Sequence, residues 1–270
     1  MGMKVGHTGI TWGIPGDPER AYRDTAELGY LGFETFGHTL RQVDFRPLVA
    51  EHGIPVCAAY VSRMWIDPEK LPAELETARM DADALKELSG ETIVLACNRR
   101  PPGGLDADAF RRLADGLHEA ARHCRGLGLT TGLHPHTGTH VETREDIERI
   151  MELLDPALVG FAPDTGQIAK GGSDVVGVCR RYRDRTTHVH LKDWGGSPGP
   201  EDDTGYVNYQ PVGSGVLPMP ELLALYTDFD GWVNVELDGT DGAPRPPREA
   251  AAMSRRYLGE LLGDRVAWRR

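Results

Sequence analysis

The chain has 270 residues, of which 40% are apolar and 26% charged, and its formal net charge is −11. This composition fits a globular protein with a sizeable core and excludes disordered and fibrous classes. The acidic balance argues against nucleic acid, whose binding draws its affinity from clustered Lys and Arg on phosphates.

In chain order, residues 4–12 read as a strand, and residues 19–28 as a helix ended by Gly29. Residues 32–36 form a second strand with Glu34 on the face opposite Phe33, and residues 45–51 a short helix stopped by Gly53. Residues 55–60 are the third strand, with a helix at 75–88. The run Thr92-Ile-Val-Leu-Ala96 is continuously apolar, the pattern of a strand covered on both faces, and residues 107–125 carry a long helical period. The fifth and sixth strands are residues 129–134 and 159–163, followed by helices at 144–154 and 175–182. Residues 186–192 make the seventh strand, ahead of a polar, Gly-rich and Pro-rich loop at 195–215 and a helix near 220–226. Residues 232–236 are the eighth strand, and a helix at 249–262 closes the chain.

Eight strand and helix alternations without a shift of composition predict the α/β class, as a single (β/α)8 TIM barrel over residues 1–270. No glycine-rich dinucleotide or P-loop signature is present. Cys57, Cys97, Cys124 and Cys179 have no Cys-x-x-Cys spacing, which fits free thiols in a reducing cytoplasm. Neither a leader peptide nor an apolar run of about 18 residues is evident, so a cytoplasmic chain without a membrane partner is expected.

Barrel active sites form where strands end at the C-terminal face. On the seventh strand His188, His190 and Lys192 share one face, and burying them is costly unless they find partners such as a metal ion or carboxylates. Acids and imidazoles stand at other strand ends, namely His134, Asp164 and Glu236. Taken singly, each has a plain reading, with a strand-end Asp acting as a helix cap and a His as a core residue. Together they make a mixed nitrogen and oxygen set suited to Mn, Fe, Co or Zn. Such an ion polarises a ketone and stabilises the enediolate left when a neighbouring C–H loses its proton. His136, of the same parity as His134, is a candidate acid or base, and so is Lys192, whose plainer reading is an ion-pair partner. Asp238 shares the parity of Glu236, Glu34 can reach the cavity from strand two, and His188 lies beside His190. Trp12 either floors a sugar pocket or plugs the barrel.

The series Leu133-His-Pro-His-Thr-Gly-Thr139, Asp164-Thr-Gly-Gln167, His188-Val-His-Leu-Lys-Asp193, Gly213-Ser-Gly215 and Gly231-Trp-Val-Asn-Val-Glu-Leu-Asp238 resembles the xylose-isomerase-like barrel superfamily. Within it, the chain is most similar to inosose (2-keto-myo-inositol) dehydratases. The resemblance implies a metal on His134, Asp164, His190 and Glu236; the expected ion is manganese, with cobalt, iron, zinc and magnesium as alternatives. With the positions read above, the candidate catalytic residues are His136, Lys192 and Glu236, and the candidate substrate contacts are Trp12, Glu34, His188 and Asp238. The superfamily's sugar epimerases have a Glu where this chain has His134, so only Glu236 of their two bases is retained. The chain departs from the dehydratases at Pro135 and at Gln167, where those enzymes carry His. The expected activity is a metal-dependent lyase that removes water, or another β leaving group, from a keto-polyol or keto-sugar. The alternatives are a sugar isomerase or epimerase and a non-catalytic sugar-binding barrel. A small-molecule substrate and pairing of barrels into a homo-oligomer are further expectations.

Overall fold

A computed structural model describes residues 3–14, 16–197, 208–238, 245–266 and 268–269. Its strands are β1 (Lys4–Thr8), β2 (Phe33–Phe36), β3 (Val56–Arg63), β4 (Thr92–Cys97), β5 (Thr130–His134), β6 (Gly160–Phe161), β7 (His188–Leu191), β8 (Asp193–Trp194), β9 (Tyr209–Gln210) and β10 (Trp232–Val235). The helices are α1 (Pro18–Glu27), α2 (Gly37–Leu40), α3 (Arg46–His52), α4 (Leu71–Glu87), α5 (Ala107–Gly126), α6 (Arg144–Leu153), α7 (Thr165–Lys170), α8 (Val175–Arg181), α9 (Met219–Ala224) and α10 (Pro247–Leu262).

Local chemistry explains the helix starts. Asp17, Asp106 and Asp174 each accept a backbone N–H at the N-termini of α1, α5 and α8, and Thr143 with Asp146 closes a capping box on α6. Helix α5 then buries Phe110, Leu113, Leu117, Ala121 and Cys124, one apolar stripe at helical spacing. All six residues of β4 are buried, as its continuous apolar run predicts.

Eight parallel strands pair in the order β6-β5-β4-β3-β2-β1-β10-β7. First and last barrel strands meet directly, Lys4 opposite Trp232 through His7 opposite Val235. The β6–β7 seam is joined by bridges between Phe161 and Thr186 and between Asp164 and His190, and the His190 N–H donates to the Pro163 carbonyl at 2.9 Å. The result is the expected single (β/α)8 barrel. No helix among the described residues is long and apolar enough to cross a membrane.

Three local differences from the sequence expectation have physical causes. The first strand ends at Thr8 and tightens into a 3-10 turn over Gly9–Trp12. Helix α4 starts at Leu71, earlier than its apolar period suggests, because Pro72 suits a first turn whose N–H groups need no partner. The expected loop at 195–215 contains Tyr209–Gln210, which pairs antiparallel with Asp193–Trp194, while its residues 198–207 lie outside the described residues.

Asp193 anchors this segment. Its carboxylate accepts N–H groups from Trp194 (2.9 Å), Gly213 (3.0 Å), Gly215 (2.9 Å) and Leu217 (3.2 Å). A side chain at Gly215 would collide with Asp193, and Gly213 adopts φ 87°. The Gly213-Ser-Gly215 motif therefore wraps a carboxylate. Asp193→Asn turns one acceptor into a donor facing N–H groups, and is expected to lower stability by about 2–4 kcal/mol in urea unfolding. An unchanged midpoint would show that the anchor adds nothing.

Candidate active site

The strand ends bring the expected residues together at one end of the barrel. His134 closes β5, Asp164 follows β6, His190 lies on β7 and Glu236 follows β10. A ligand atom from each of His134, Asp164 and His190 lies within 4.8 Å of the others, and all three residues are buried. Glu236 joins them, its Oε2 standing 2.9 Å from His190 Nδ1.

Asp164 has two roles. Its Oδ1 accepts the Gln167 N–H at 2.9 Å and caps α7, while Oδ2 faces the Lys192 ammonium at 2.9 Å. Neither ring nitrogen of His134 has a hydrogen-bond partner among the described residues, and His190 Nδ1 faces the Glu236 carboxylate. Buried nitrogen and oxygen atoms grouped this closely, with the His134 ring left without hydrogen bonds, are the donor set that a divalent cation satisfies, so these residues fit the expected metal. Burial, reinforced by His190, holds the His134 pKa well below the usual imidazole value, leaving it neutral as a ligand requires.

Lys192 is fully buried among acids. Its ammonium lies 2.9 Å from Asp164 Oδ2 and 2.6 Å from Glu236 Oε1, and it hydrogen-bonds Asp238 Oδ2. Burial alone would favour the neutral amine, but Asp164 and Asp238 outweigh it and raise the pKa well above the usual lysine value. Burial likewise opposes ionisation of Glu236, yet His190 and Lys192 hold it well below the usual carboxylate range. Asp238 is pushed up to about 7, chiefly by burial, with Lys192 opposing.

His136 donates from Nδ1 to the Thr137 carbonyl at 2.7 Å. Gln167 completes its surroundings. The Gln167 Oε1 accepts from the Thr137 hydroxyl at 2.6 Å and the Thr137 N–H at 3.2 Å, so its amide NH₂ faces His136 Nε2 at 2.9 Å and Asp238 Oδ2 at 3.2 Å. His136 therefore presents an acceptor at Nε2, not a proton. Burial draws its pKa down to about 4.

A cavity of about 60 Å³ opens over these groups, lined among others by Glu34, Tyr60, His136, His190, Glu236 and Asp238. Two expected substrate contacts are found elsewhere. His188 is fully buried with Nε2 on Glu34 at 2.8 Å and does not line the cavity. Trp12 turns away, because its indole N–H donates to Asp24 of α1 at 2.8 Å and its ring meets His7 edge-on. Sequence reasoning missed Tyr60, whose ring meets His134 edge-on at 5.2 Å and stacks on His190 at 6.3 Å. It also missed Asn234, although its parity with Glu236 was a usable signal.

The sequence pattern of xylose isomerase-like TIM barrels matches residues 22–260, and the chain belongs to that family. Within it, the chain is 30% identical to an inosose dehydratase of Geobacillus kaustophilus (strain HTA426), over 98% of this chain and 96% of that protein. In three dimensions it resembles IolI with a bound zinc atom (TM-score 0.79, 16% identity, 98% of this chain and 100% of that one). It also resembles the 3-keto-D-glucoside 4-epimerase YcjR of E. coli (TM-score 0.69, 21% identity, 96% and 98%). At these identities the two structures speak for the fold alone.

Proposed function

We propose that the chain is a divalent-metal-dependent lyase that removes water from a keto-polyol of the inosose type. The likeness to an inosose dehydratase carries this reading, because it runs through every strand that contributes to the cavity. His134, Asp164, His190 and Glu236 would hold the ion, manganese foremost, and when bound it supplies polarisation of the substrate carbonyl and a counter-charge for the enediolate oxygen.

The chain's own groups do the rest. Glu236 takes the proton from the carbon beside the carbonyl, and the C–H electron pair moves toward the carbonyl oxygen. That pair returns to form the new C=C bond as the β C–O bond breaks. The leaving oxygen then needs a proton to depart as water. His136 offers only an acceptor at Nε2, so the hydrogen-bonded Lys192 and Asp238 pair, which reaches the cavity through Asp238, is the source. His136, whose Nε2 is held by the Gln167 amide, shapes the cavity wall. Four free, buried cysteines support a cytoplasmic setting for the single domain.

The test is incubation with Mn²⁺ and 2-keto-inositol, then with a panel of keto-sugars, in deuterated water, following product mass. Elimination yields a product lighter by one water. Deuterium uptake without loss of water, across the panel, would overturn the lyase reading in favour of an isomerase or epimerase. Neither change on any compound would favour a binding barrel.

A further inference from the structure

We infer that Glu34, which lines the cavity, is a positioning residue that fixes which nitrogen of His190 faces the metal. This rests on the divalent-metal reading of the site. A neutral imidazole carries one N–H, and whichever nitrogen donates it leaves the other as the lone-pair ligand. The His190 Nε2 donates to Glu34 Oε1 at 2.9 Å, so Nδ1 is left for the Glu236 side of the ring, 2.9 Å from that carboxylate. A carboxylate behind a metal-binding histidine sets both its tautomer and its ring angle.

Glu34 is itself held from two strands, β7 and β10. Its Oε2 accepts from His188 Nε2 at 2.8 Å and from Asn234 Nδ2 at 2.7 Å, and its side chain is almost fully buried. Asn234 stands opposite His190 in the β7–β10 register. Its amide fits only because β1 supplies Gly6 beside it, where any side chain would collide with Asn234. Strand β2 thus sends a fixed acceptor across the barrel to a ring on β7. With both Glu34 oxygens committed in this way, substrate contact becomes secondary to orientation.

The test measures affinity for Zn²⁺ by competition with a chelator, in the wild-type chain, Glu34→Gln and Asn234→Ser. Loss of such an orienting partner typically costs about 10- to 100-fold in metal affinity, and that is the result expected for Glu34→Gln. Asn234→Ser keeps every ligand and Glu34 itself, so a smaller loss in the same direction is expected, and it answers the question if Glu34→Gln fails to fold. Long-range ¹⁵N spectra of the zinc-loaded wild-type chain should place the His190 proton on Nε2. Equal affinities in all three chains, or a proton on Nδ1, would overturn the inference while leaving the metal site standing. A wild-type chain that takes up no zinc or manganese would instead bring down the metal reading itself.

Discussion

Asp164→Asn and Glu236→Gln are each expected to lower turnover by about 10³-fold or more and to release the bound ion. A Lewis-acidic ion is worth several kcal/mol of transition-state stabilisation, and each 1.4 kcal/mol is a factor of ten. The two variants isolate that loss well. An Asn at 164 can still cap α7 through its side-chain oxygen, the bond that Asp164 Oδ1 makes to Gln167, so the helix should persist while Oδ2 is lost as a charged donor. Elemental analysis of the purified variants gives the check. Full metal occupancy in both would remove these residues from the ligand set.

Lys192→Met is expected to cost about 3–5 kcal/mol of stability in equilibrium urea unfolding, alongside a loss of rate of about 10²- to 10⁴-fold. Parity on a strand suggests only that Lys192 faces the cavity, and that reading predicts little change in stability. Its placement among Asp164, Glu236 and Asp238 argues otherwise, because removing the ammonium strands three buried carboxylates without their shared counter-charge. Unchanged stability would mean that those acids are neutralised by some other group.

The fold was legible because apolar periods switch regularly between strand and helix, and such periods survive without knowledge of tertiary contacts. Helix α7 was not, since Asp164-Thr-Gly reads as a turn and its short span carries little periodic signal. The strand-end residues His134, Asp164, His190 and Glu236 were legible from position and parity. Their second partners were not. That Asp164 is both a helix cap and a site carboxylate, or that Gln167 sets the hydrogen bonding of His136, depends on which strands become neighbours around the barrel. Asn234 and Glu34 lie 200 positions apart, and no local pattern links them.

The pairing of β1 with β10 has a consequence for synthesis. A ribosome adds about 5–20 residues per second, so Lys4 waits about 10 to 50 seconds before its partner Trp232 exists. Until then one edge of β1 is an open ladder of backbone donors and acceptors, the kind of surface that recruits stray strands. Glu236 arrives on the same segment that covers this edge. The nascent chain therefore gains this site carboxylate and covers that open edge at one moment, so a cell that shields β1 during translation also protects the yield of folded protein.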